Sequence, residues 1–153
     1  MATREIVHFK GNSSMEQANL SDIVGAGEPN EKSDVMLIQA LCQLVGFDDK
    51  VARRMFGVRL ADLPEPTGNF DNQTIHAIWG FQRKMAYRLL SVDGKIHPGN
   101  YHRRIIDPTG RWMTITLLNS YALEGMIYKY NVNDVISALT RVAPQLILTH
   151  VAP

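Results

Sequence analysis

A chain of 153 residues, 45% apolar and 20% charged, has the size and composition of one globular domain with a proper core. Its single cysteine, Cys42, excludes an internal disulfide and any multi-cysteine metal site. The net charge of +1 argues against a general nucleic-acid binder, but the charge is unevenly spread: residues 1–82 hold 7 basic and 11 acidic side chains, residues 83–111 hold 7 basic and 2 acidic. That middle excess suits an anionic partner or a solvated helix face.

In chain order, residues 4–10 (REIVHFK) alternate imperfectly and are rich in β-formers, which predicts a short strand. Residues 11–33, heavy in Gly, Ser, Asn and Glu, read as a loop. A helix follows in SDVMLIQALCQLVGF: Ser33 or Asp34 is placed to cap it, Val35, Ile38, Leu41, Cys42 and Val45 share one face, and Gly46 stands where a left-handed stop is wanted. Cys42 on that face reads as a small buried hydrophobe. Residues 48–56 predict a short helix, followed by an irregular segment closed by two prolines. The next helix, DNQTIHAIWGFQRKMAYRLL, starts at Asp71 or Asn72 and turns Ile75, Ile78, Phe81, Gln82 and Met85 inward. Gly80 weakens it by up to ~1 kcal/mol relative to Ala, which implies a close neighbour. Residues 98–106 predict a short helix with Pro98 in its first turn, and the β-branched, apolar residues 111–119 predict a strand. NVNDVISALTRV gives an amphipathic helix with Val135, Leu139 and Val142 inward, and QLILTHV a final strand. The expected fold is mainly α with some β (α+β): a helical centre flanked by short strands near both ends, which pair with one another.

Several of these residues form an ordered set. Ile38-Gln39-Ala40-Leu41 with Gly46, then Gly68-Asn69-Phe70 with Thr74, then Phe81-Gln82, then Asp93-Gly94-Lys95-Ile96-His97-Pro98-Gly99 resemble the motifs of the peptidoglycan-binding domain-like family. The resemblance covers residues 33–106 and implies a three-helix module there. Residues 1–32 are then an N-terminal strand and loop, and residues 107–153 a C-terminal strand and helix extension, all within one domain. In this pattern Gln39, Gly68, Phe70, Thr74, Phe81, Gln82, Asp93, Gly94 and Pro98 build the module. Departures are Thr67 where the first turn has Asp, Asp71 for its second Gly, a long insert between Phe47 and Pro66, and Asn100 or His102 where the third helix has threonine. Asp93 has a structural role open to it, since its side chain can tie down the backbone two residues on.

No motif for catalysis appears: Gly-x-Ser-x-Gly, His-Glu-x-x-His and the phosphate loop are all missing. The histidines (His8, His76, His97, His102, His150) lack the spacing of a metal site, so neither metal nor cofactor is expected. The candidate ligand-binding residues are the aromatic and basic groups Arg83, Tyr87, Lys95, His97, Tyr101 and Arg104. Aromatic rings suit sugar faces, and guanidinium and ammonium groups suit the carboxylates of stem peptides. Trp79 and Trp112 read as core. The resemblance implies a non-catalytic module for bacterial peptidoglycan, glycan or stem peptide. A second reading is an adaptor, accessory or cargo component of a contractile, type VI-like secretion system; a third is a small wall hydrolase. The partner is therefore the wall or a protein of a wall or secretion machine, not nucleic acid. No run approaches the roughly 18 apolar residues of a membrane span. Without a secretory signal at residues 1–14, the expected location is the cytoplasm, with signal-independent export to the periplasm or outside as the other route.

Overall fold

The computed structural model describes residues 1–8, 14–99, 110–130 and 134–150. It is mainly helical. Among the described residues, five α-helices, α1 (Lys32–Val45), α2 (Asp49–Phe56), α3 (Asn72–Lys84), α4 (Thr114–Tyr130) and α5 (Val135–Val142), accompany three short strands, β1 (Thr3–His8), β2 (Ser14–Asn19) and β3 (Thr149–His150). The sheet order is β2-β1-β3. β1 and β2 are antiparallel, with Thr3 opposite Asn19 and His8 opposite Ser14, and β3 joins β1 in parallel through Thr3–Thr149 and Arg4–His150. The expected pairing of residues 4–10 with 111–119 is absent; β1 instead pairs with β3, the two residues that are strand within the expected final strand QLILTHV. The expected N-terminal strand matches β1 as far as His8; residues 9 and 10 lie outside the described residues.

Ile38, Leu41, Ile78 and Phe81, expected on the inward faces of their helices, are all buried, and Phe81 packs on Phe56 with ring centroids 5.6 Å apart. On α3, Thr74 and Ala77 are buried while Ile75 is only half-buried, so the inward face is turned slightly from the one expected. Burial pushes the Cys42 thiol up to about 12, which keeps it protonated and inert. Gly80 permits the contact its cost implied: a Cβ there would collide with the backbone carbonyl of Phe56, so α3 lies directly against the end of α2.

Four expectations are corrected. Residues 111–119 are not a strand, because α4 begins at Thr114. Ile115, Thr116, Leu117, Leu118, Asn119 and Ala122 are all buried, between α1, α5 and β2. A helix enclosed on most sides carries no polar stripe, and its short apolar, β-branched start looks like a buried strand. The loop expected over residues 11–33 contains β2, whose outer edge is closed by a side chain: Asn119 Oδ1 accepts from Ala18 N–H at 2.9 Å and its Nδ2 donates to Ala18 C=O at 2.8 Å. Ser33 and Asp34 do not cap α1. Glu31 does, accepting from Asp34 N–H, while Ser33 Oγ accepts from Ala2 N–H at 2.8 Å. The buried Asp34 carboxylate instead accepts from Ser21 N–H, Ser21 Oγ–H and Asp22 N–H at 2.7–3.0 Å. Finally, Gly46 has φ −92°, not a left-handed value. Space decides that position, since a Cβ there would stand 2.7 Å from Leu63 Cδ1.

The other helix ends follow local rules. Asp48, Asp71 and Asp134 accept from Val51, Thr74 and Ile136 N–H respectively, and Gly57 closes α2 in the left-handed conformation. The expected helix over residues 98–106 lies almost wholly outside the described residues; Pro98 and Gly99 themselves are irregular.

Candidate binding site

Two glutamines organise the centre of the molecule in the same way. From α1, Gln39 Oε1 accepts from Gly68 N–H at 2.8 Å, and its Nε2 donates to Asn69 C=O at 2.8 Å and to Thr74 Oγ1 at 2.9 Å. From α3, Gln82 Oε1 accepts from Gly94 N–H at 2.8 Å, and its Nε2 donates to Lys95 C=O at 2.9 Å and to Thr114 Oγ1 at 3.1 Å. Each glutamine thus joins its own helix to a turn and to the first residues of a following helix. A carboxamide suits this task because it offers both an acceptor and two donors. Gly68 and Gly94 have φ of +84° and +74°, where a side chain is strained.

Both turns are braced two residues on. Asp93 Oδ1 accepts from Lys95 N–H at 2.9 Å, as expected, and Thr67 Oγ1 accepts from Asn69 N–H at 3.1 Å. Thr67 therefore does the work expected of an aspartate. Thr114, at the start of α4, takes in the second latch the place that Thr74 takes in the first. Asn100 and His102 lie outside the described residues. Sequence spacing hid this, because the two latches span different distances: Gln39 precedes its glycine by 29 residues and Gln82 by 12.

The second turn carries the candidate binding residues. Trp79, expected in the core, is only half-buried. The Gly94 turn lies against its ring, with a Cβ at Gly94 only 2.6 Å from Trp79 Nε1, and the Arg83 guanidinium sits over the ring, 5.1 Å from the centroid. Arg83 is one helical turn beyond Trp79, a spacing that could have flagged the pair. Trp112 is partly buried against the core, as expected. Tyr87 is 70% exposed, in the single 3-10 turn Ala86–Arg88 after α3, with Leu90 (48%) and Val92 (39%) exposed close by in sequence. His97 Nε2 is 3.6 Å from Asp93 Oδ2, an ion pair when the imidazole is protonated. Lys95 turns away to Glu28 at 2.5 Å, and that hydrogen bond raises its pKa. Its partner is 67 residues away in sequence and carries no local signal. Tyr101 and Arg104 lie outside the described residues.

The basic excess of residues 83–111 is largely engaged in holding the fold. Arg88 lies over the rings of Trp112 and Tyr121, at 5.8 and 5.5 Å, and donates to Tyr121 Oη at 2.5 Å. Arg111 donates to the carbonyls of Ala86 and Leu89. Among the described residues of this stretch, Arg83 and Lys84 remain as exposed cations outside any ion pair. Lys95 and His97 border a cavity of about 90 Å³ with Leu90, Ser91, Met113 and Thr114. That is well below the roughly 300–1,000 Å³ of small-molecule pockets. Trp79, with Arg83 over its ring and the Gly94 turn against it, forms an open shelf apart from that cavity, and Tyr87 is exposed after the end of α3.

Among the described residues, no group of three or more His, Cys, Asp or Glu side chains is gathered to hold a metal ion, and no helix is long and apolar enough to cross a membrane. Comparison with protein-family models, curated proteins and solved structures found no match.

Proposed function

We propose that this protein is a non-catalytic module that binds bacterial cell-wall peptidoglycan on the shelf beside the Asp93-Gly94 turn. The observation that carries the reading is the repeated latch. The residues that resemble the peptidoglycan-binding domain-like family, Gln39, Gly68, Thr74, Gln82 and Gly94, are the ones joined by it. In this reading α1, α3 and α4 are the module's three helices, with α2 as an insert and Thr114 as the threonine of the third. Trp79 and Tyr87 offer faces for sugar rings, and Arg83 offers a bidentate partner for a stem-peptide carboxylate.

A pull-down on purified sacculi at low and physiological salt tests this. Arg83→Glu and Arg104→Glu should each weaken binding a few-fold, in a salt-sensitive way, because exposed pairs contribute little individually. Arg141→Glu, on α5, is the control. Equal losses in all three would reduce the effect to bulk charge.

The exposed run Tyr87, Leu90 and Val92 favours a second reading, an adaptor for a protein of a contractile secretion system. Failure of the wild-type chain to bind sacculi would give that reading the lead.

A further inference from the structure

The insert between Phe47 and Pro66 builds a second concave site away from the shelf. Between its α2 and the facing residues of α4 lies a cavity of about 350 Å³, lined by Val45, Phe47, Val51, Met55, Tyr121 and Gly125 on its apolar side. The volume falls at the small end of ligand pockets. Gly125 keeps it open in this shape: a Cβ there would stand 2.8 Å from Leu44 C=O and 3.0 Å from Phe47 Cδ1, so Phe47 would have to move.

The charges around the cavity are selective. Asp48 is committed to the α2 cap, accepting from Val51 N–H at 2.8 Å. Arg53 is paired with Asp49 at 2.7 Å, and Arg59 with Asp62 at 2.8 Å, but none of these four lines the cavity. Lys50 and Arg54, one turn apart on the α2 wall, do line it, as does Glu124 on the α4 wall. All three are exposed, and among the described residues none is in an ion pair. An apolar floor with two uncommitted cations on one wall and a carboxylate on the other complements a small zwitterion with a bulky apolar side chain. We propose that this cavity binds an apolar α-amino acid or dipeptide, its carboxylate on Lys50 and Arg54, its amine on Glu124 and its side chain on Val51, Met55 and Tyr121. The proposal is independent of the wall-binding reading.

Calorimetric titration of the full chain with L-phenylalanine and L-leucyl-L-phenylalanine tests it, with the Met55 methyl resonance reporting location. Saturable binding of either probe with a shift at Met55 is expected, and the tighter of the two identifies the source. L-phenylalaninamide, lacking the carboxylate, should bind at least tenfold more weakly, and the Lys50→Gln/Arg54→Gln double variant should weaken L-phenylalanine to the same degree. Glu124→Gln should weaken L-phenylalanine but leave N-acetyl-L-phenylalanine unchanged. These exposed substitutions leave the core intact, and a thermal melt of each variant verifies folding. Absence of saturable binding by both probes, or binding indifferent to the double substitution, overturns the proposal.

Discussion

Replacing Gln82 with alanine tests the latch most directly. The variant removes an acceptor and two donor contacts at once, to Gly94 N–H, Lys95 C=O and Thr114 Oγ1. Gly94 is buried, so its N–H is stranded at a cost of about 1–3 kcal/mol. Thr114 can redirect its hydroxyl, and the part-buried Lys95 carbonyl can accept from water, so together these two contribute about 1 kcal/mol. The expected loss is about 2–4 kcal/mol by urea denaturation, with Gln39→Ala falling in the same range because its bonds are the same. Gln82→Glu adds a pH signature. A buried glutamate facing the Lys95 carbonyl has its folded pKa raised above the unfolded value of about 4.3. Its stability is then closest to wild type below pH ~4 and falls as pH rises toward the folded pKa. A Gln82→Ala variant within about 0.5 kcal/mol of wild type would refute the latch as a stabilising element.

Two further outcomes follow from named contacts. Gly80→Ala drives a methyl into the Phe56 carbonyl, forcing α3 off α2; overpacking of this kind costs about 1–3 kcal/mol, and a thermal melt should fall even though alanine favours helix. The hydrogen bond from Arg53, then that from Leu60 N–H, hold the Asp49 carboxyl below its ordinary 3.8. A depressed pKa contributes stability above 3.8 that is lost as pH falls through the folded value, so an NMR titration should find Asp49 charged below 3.8 and Arg53→Gln should move its midpoint up.

The helices α2, α3 and α5 were legible in the sequence because their signals are local, a stripe at helical spacing and an aspartate one step ahead. α1 was legible from its apolar run alone, since it is buried continuously from Asp34 to Cys42 and capped by Glu31. The Asp93-Gly94 turn was legible because its signal is local too. Packing decided the rest. α4 has no polar stripe to read because α1, α5 and β2 surround it, and β2 has no strand pattern because its pairing comes from β1 and its closed edge from Asn119, 101 residues away. Ser33 and Asp34 had the chemistry of caps, yet the N-terminal segment claimed them. The basic segment shows the same division. Sequence composition grouped the cations of residues 83–111 and helical spacing sets Arg83 near Trp79, but only the tertiary structure assigns Lys95 to Glu28 and Arg88 to two aromatic rings. Side-chain charge is written in the sequence, whereas the partner that neutralises it is fixed by which distant segment folds alongside.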